Sequence, residues 1–136
     1  MPIINVKIAH PEGEALIPKV AALAAELTAS VLGKDPKLTA VVVDNVPPAR
    51  WFVAGRSLAE LGQASFFLEV RVVDGTNTKD QKARYVAEVF RRFGELLGSL
   101  HPESYVHVVE AFADAYGFGG RTQEHRYVEK QLGGAR

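Results

Sequence analysis

The chain has 136 residues, of which 47% are hydrophobic and 24% charged, values that fit one packed globular domain. Sixteen Lys and Arg balance sixteen Asp and Glu, and a net charge of zero argues against a polybasic nucleic-acid binder. The absence of cysteine excludes disulfides, thiolate catalysis and cysteine–zinc sites.

In chain order, the opening Met-Pro-Ile-Ile-Asn-Val-Lys-Ile lacks the basic region and long apolar core of a secretory signal. Ile3 to Ile8 is short and rich in β-branched residues, so it is expected to be a strand. Leu16, Val20, Leu23, Leu27 and Val31 recur at spacings of three and four and mark one face of a helix between Glu14 and Leu32. Pro18 is expected early in that helix, where a missing N–H costs least. The most apolar stretch, Ala21 to Leu32, is interrupted by Glu26, Thr28 and Ser30 and reads as too short to span a bilayer. A cytoplasmic protein with no membrane partner is expected. Thr39 to Val43 closes the first unit, and Trp51-Phe52-Val53 begins a hairpin arm.

Phe66 to Val73 is the next strand. Thr78 with Gln81 three residues on is a capping box for a second helix, with Val86, Val89, Phe90, Phe93 and Leu97 as its buried stripe and Gly98 as its stop. Tyr105 to Val109 is a closing strand, and Tyr116-Gly117-Phe118 begins a second hairpin arm. Arg121 to Arg136 is polar and is expected to be an arm or a loose tail.

The two halves repeat. Ile3-Ile4-Asn5-Val6-Lys7-Ile8 overlays Phe67-Leu68-Glu69-Val70-Arg71-Val72, Leu32-Gly33 overlays Leu97-Gly98, and Trp51 overlays Tyr116, at offsets of 64 to 65. The expected fold is α+β: two tandem β-α-β units, residues 2–60 and 64–122, form a four-stranded sheet with two helices on one face, followed by an arm at 123–136. The run Val41-Val42-Val43 predicts strands apolar on both faces, so a symmetric assembly is expected to cover the second face.

Pro2 follows the initiator Met, and processing that removes Met before a small residue leaves a secondary amine at the start of the first strand. An α-amino group has a reference pKa of roughly 7.7–8.0, and apolar burial or nearby cations lower such a value. An amine poised near neutrality is a general base or a nucleophile toward carbonyls.

Pro-Ile-Ile-Asn-Val-Lys-Ile, the helix and strand after it, the aromatic hairpin at Trp51 to Gly55, Gly75 to Lys82 and the ending Tyr116-Gly117-Phe118-Gly119-Gly120 together resemble the tautomerase superfamily, typified by 4-oxalocrotonate tautomerase. The resemblance runs from Pro2 to about Thr122 and is to members with two fused copies of the small subunit. It implies a trimer with one working proline per chain, which acts as general base on an enol or α-proton. Phe66, at the second copy's corresponding position, has no free amine.

The chain departs from the family where small tautomerases hold a dicarboxylate with two arginines. The loop positions are Glu12, and Thr76 or Asn77; the strand positions fall near Ala40 and near Tyr105 to His107. None of these is arginine, and the fused dehalogenases' arginine pair is absent from Val73 to Asn77. Arg56 is the arginine nearest the first hairpin and is either a bidentate carboxylate anchor or a solvated surface residue. Arg71 and Arg50 are further cations to consider. Trp51 and Tyr116 either wall a planar substrate or pack in the core or an interface. His107 either polarises a carbonyl or is structural, and Asn77 either bonds a substrate oxygen or serves the turn before Thr78.

Gly117 to Gly120 lacks the Lys-Ser or Lys-Thr of a phosphate loop, and the remaining histidines show no ligand spacing, so no metal or other cofactor is expected. The resulting expectation is a trimeric tautomerase acting on an α-keto or enol acid, a small-molecule carboxylate. The alternatives are a hydrolytic dehalogenase or decarboxylase of the same superfamily, and a trimeric small-molecule-binding protein with an idle Pro2.

Overall fold

The computed structural model describes residues 2–134; Met1 and the last two residues of the expected arm lie outside the described residues. Strand β1 (Ile3–Ala9), helix α1 (Gly13–Leu32) and strand β2 (Ala40–Asn45) form the first unit. Its hairpin is β3 (Phe52–Val53) with β4 (Arg56–Ser57), followed by the one-turn helix α2 (Leu58–Leu61). The second unit is β5 (Ser65–Val73), α3 (Lys79–Leu97) and β6 (Tyr105–Ala111), with hairpin β7 (Gly117–Phe118) and β8 (Arg121–Thr122) and then helix α4 (Gln123–Gly134).

The sheet order is β2-β1-β5-β6. Within each unit the strands are parallel, as a helical crossover requires, whereas β1 and β5 meet antiparallel with Ile3 opposite Arg71 and Ala9 opposite Ser65. Both long helices lie on one face. Ile4, Val6 and Ile8 of β1 and Phe66, Leu68, Val70 and Val72 of β5 alternate inward and form one core with Val20, Leu23, Leu27 and Val31 of α1 and Tyr85, Val89, Phe93 and Leu97 of α3. Each such side chain contributes about 1.5–3 kcal/mol through burial.

The internal repeat holds at the level of single bonds. Leu58 N–H donates to Trp51 C=O at 2.9 Å, and Gln123 N–H donates to Tyr116 C=O at 2.8 Å, so each hairpin is closed by the same contact. The hydroxyls of Ser57 and Thr122 cap α2 and α4, accepting from the backbone N–H of Glu60 and His125. The predicted capping box of α3 is present: Thr78 Oγ1 accepts from Gln81 N–H and Gln81 Oε1 from Thr78 N–H.

Several expectations need correction. Pro18 is the sixth residue of α1, inside the hydrogen-bonded part, and leaves the Glu14 carbonyl without its usual helical donor. By length and composition α1 is apolar enough to cross a membrane, contrary to the reading from Ala21 to Leu32, while its Val20, Leu23, Leu27 and Val31 lie in the core. Val86 and Phe90 are 42% and 38% exposed; the buried stripe of α3 runs through Tyr85 instead, at a strict spacing of four. The expected loose tail is a helix, capped by Thr122.

The sheet's uncovered face is not apolar throughout. The central strands present Asn5, Lys7, Glu69 and Arg71 there, all polar and alternating with the core residues. Exposed apolar groups collect on the edge strands, at Val42 and Tyr105, and at Phe52, Phe112 and Phe118 in and beside the hairpins.

One buried polar bond ties α1 to α3. Thr28 Oγ1 donates to Ala24 C=O at 2.8 Å and accepts from the Tyr85 hydroxyl at 2.8 Å. Burial pushes the Tyr85 phenol up to about 12. The unfolded phenol titrates near 10, so the native state retains a proton that the unfolded chain loses, and stability is lost as pH rises from 10 toward 12. Tyr85→Phe is expected to cost about 1 kcal/mol at neutral pH and to reduce the alkaline loss of stability, measured by urea unfolding at pH 7, 10 and 11.

Candidate active site

Because β5 runs against β1, the second unit delivers its carboxyl-terminal features to the amino-terminal end of the first. Pro2 is buried there, and its carbonyl accepts from Ala40 N–H at 3.2 Å. The Tyr116 hydroxyl reaches the same place: it donates to Arg71 C=O at 3.3 Å and receives a hydrogen bond from the backbone N–H of Ile3, the residue next to Pro2. Burial raises the phenol's pKa, and the Ile3 bond and the Arg71 charge partly offset the rise, so the phenol keeps its proton at neutral pH.

The hairpin bearing Tyr116 is held from both sides. Arg126 of α4 lies 3.8 Å from the centre of the Phe118 ring and donates to Phe118 C=O at 3.0 Å. A Cβ at Gly117 would stand 2.0 Å from the carbonyl oxygen of Arg121, so only glycine permits this strand spacing. A cavity of about 340 Å³ lies against the hairpin and is lined by Tyr116, Phe118 and Arg121 among others.

Asn77 is also at this end of the sheet, in the loop after β5. Its Nδ2 donates to Leu32 C=O at 2.8 Å and to Gln81 Oε1 at 3.1 Å, joining the end of α1 to the start of α3, while its Oδ1 is buried with no partner. The turn role is thus present. Beside it lies a residue that sequence reasoning missed. Lys34 Nζ donates to Thr76 Oγ1 at 3.0 Å, and Thr76 in turn donates to Val73 C=O at 2.6 Å. Lys34 is half-buried, and burial lowers its pKa. The one available signal is an asymmetry between the copies: Leu32-Gly33 is followed by lysine and Leu97-Gly98 by serine.

Of the remaining candidates, Arg71 stands opposite Ile3, next to Pro2, whereas Trp51, Arg56, His107 and Arg50 do not join Pro2 within the chain. Trp51 and Arg56 belong to the other end of the seven-residue strand β1, about 20 Å away at ~3.3 Å per residue. Trp51 packs there against the cluster of Ala9, Val53 and Leu58, and Arg56, exposed, pairs with Glu60 at 3.5 Å. His107 is exposed in mid-strand, opposite Glu69, on the face away from the helices. Arg71 pairs with Glu69 at 3.1 Å on that same face, and Arg50 is exposed in the turn before the first hairpin. A cavity of about 670 Å³, mainly apolar, is likewise at the far end, lined by residues including His10, Pro48, Leu58 and Leu97.

No family model and no curated protein matches the chain. Solved structures do. A fused 4-OT is 18% identical, with a TM-score of 0.74 over 90% of this chain and 97% of its own. Pt0534, inactivated by 2-oxo-3-pentynoate, is 14% identical, with a TM-score of 0.76 over 90% and 98%. N1, a member of the cis-3-chloroacrylic acid dehalogenase family, is 19% identical, with a TM-score of 0.69 over 94% of each chain. Further fused 4-OT chains of the same fold form symmetric or asymmetric trimers. The chain has the fold of the tautomerase superfamily in its fused two-repeat form.

The Tyr116 bond to the first strand has a direct readout. Tyr116→Phe is expected to cost about 1 kcal/mol of local protection and to speed amide exchange at Ile3 roughly fivefold, with little change at Leu68 in the core. Unchanged exchange at Ile3 would mean that the hydroxyl does not hold this strand.

Proposed function

We propose that the processed chain is a tautomerase in which the Pro2 amine is the general base for keto–enol interconversion of an α-keto or enol acid. The observation that carries this reading is the position of Pro2: buried, at the opening of a central strand, beside a residue to which Tyr116 is hydrogen-bonded. In the enol-to-keto direction, the Pro2 nitrogen accepts the enol O–H proton. The oxygen then forms the carbonyl as the C=C electron pair takes a proton at carbon from the Pro2 ammonium, which regenerates the free amine. With Met1 retained, the same nitrogen is an amide without a basic lone pair, and the chemistry stops.

The protein works, on this reading, as a cytoplasmic homotrimer. The exposed apolar groups of the edge strands and hairpins, together with the far-end cavity, supply surface for cyclic contacts in which one patch meets a different patch on the next subunit. The trimeric fused 4-OT structures of the same fold support it. His107, Trp51 and Arg56 lie away from Pro2 in one chain, so any role of theirs at the amine depends on that assembly.

Ketonisation of phenylenolpyruvate tests the reaction. Pro2→Ala is expected to lower kcat/KM at least a hundredfold, equivalent to about 2.7 kcal/mol. Undiminished turnover would favour a binding protein with an idle Pro2. Chloride release from a 3-chloroacrylate without enol ketonisation would favour the dehalogenase alternative. Sedimentation at micromolar concentration is expected to show a trimer, and a stable monomer would remove the basis for a shared site.

A further inference from the structure

We propose that the far end of the sheet holds a second, non-catalytic binding site, which takes an uncharged, ring-sized molecule bearing one carbonyl oxygen. The site is the mainly apolar cavity of about 670 Å³, a volume within the usual range for small-molecule sites. The internal repeat builds it from the same parts as the Pro2 end. There the second hairpin, the loop after β5 and the end of α1 converge on the start of β1. Here the turn before the first hairpin with α2, the loop after β1 and the end of α3 converge on the start of β5. The site stands independently of any chemistry at Pro2.

The walls select the ligand. Ala64, just before β5, is in mid-chain, and its amide N–H donates to Ser99 C=O at 3.0 Å, so this end offers no amine. Neither lysine nor arginine is among the described residues that line the cavity, whereas Glu12 is. A carboxylate entering it would lose its hydration, meet a like charge and find no counter-ion. His10 supplies the polar contact. Its Nδ1 accepts from Glu12 N–H at 2.9 Å, so the neutral ring carries its proton on Nε2, a donor for a carbonyl oxygen. An apolar side chain from a neighbouring copy would leave that donor without an acceptor. Pro48, Leu58 and Leu97 cover the apolar body of the ligand. Ser99, also in the lining, sits at φ 42°, a strained conformation for a residue with a Cβ, and its bond from Ala64 holds it there.

Acetophenone and its anionic counterpart benzoate, titrated into the isotopically labelled full chain and followed by backbone amide shifts, test the site. Acetophenone is expected to shift Ala64 and Ser99, with a dissociation constant below about 1 mM, and to leave Ile3 in place. Benzoate is expected to bind there at least about tenfold more weakly. Ala59→Trp, which places an indole in the cavity, should abolish the shifts, and His10→Phe, which keeps a ring but removes the donor, should weaken binding about fivefold. Pro2→Ala should bind acetophenone as the wild type does. Shifts confined to Ile3 and Tyr116, equal binding of benzoate, or full affinity in both Ala59→Trp and His10→Phe would overturn the proposal. So would the absence of any shift, which would mean that a neighbouring copy fills the cavity.

Discussion

The antiparallel seam between β1 and β5 determines what this chain can bring together. Each β-α-β unit is parallel within itself, so its loop and hairpin emerge far from its own first residue. Joining the two units head to tail places Ile3 opposite Arg71, and the second unit's loop and hairpin then arrive where the first unit begins. Tyr116 and Asn77 reach the Pro2 end for this reason, although as many as 114 residues separate them from Pro2 in sequence. The seam is secured by the alternating core residues Ile4, Val6, Ile8, Phe66, Leu68 and Val70, which a shift of one residue would turn outward.

The same seam gives the sheet two related ends with different chemistry. Both hairpins are closed by equivalent bonds, from Leu58 to Trp51 and from Gln123 to Tyr116. At one end the neighbouring strand begins at Ile3, next to Pro2, whose nitrogen is the base of the proposed reaction. At the other it starts at Ser65, in mid-chain, where every nitrogen is an amide, and the large apolar cavity there has no base of that kind. The second hairpin alone continues into a long helix, and Arg126 of that helix holds the Phe118 turn beside Tyr116.

Much of this was legible in the residues. Richness in β-branched and aromatic residues identified the strands, a spacing of three and four identified α1, and the Thr78–Gln81 pair identified the start of α3. The repeat foretold the fold because its matched residues mark strand starts, helix stops and hairpins. Periodicity failed where two faces compete: Val86 and Phe90 look as apolar as Val89, but only a strict spacing of four from Tyr85 faces the sheet. It failed for the site where partners come from distant segments. Nothing local to Lys34 points to Thr76, and nothing near Trp51 reveals that its strand leads away from Pro2. The polar tail gave no apolar face to recognise, and its helix depends on the Thr122 cap and the contacts of Arg126.

The central claim is that Pro2 carries a free, unprotonated amine in a site that binds conjugated carbonyl compounds. Reaction with 2-oxo-3-pentynoate, the compound that inactivates Pt0534, addresses it most directly, because a neutral amine adds to the activated alkyne and retains the whole reagent. After incubation at neutral pH, peptide mapping by mass spectrometry is predicted to show one adduct per chain, on a Pro2 that has lost Met1. An unmodified Pro2, or a chain that keeps Met1 and is labelled elsewhere, would contradict the account.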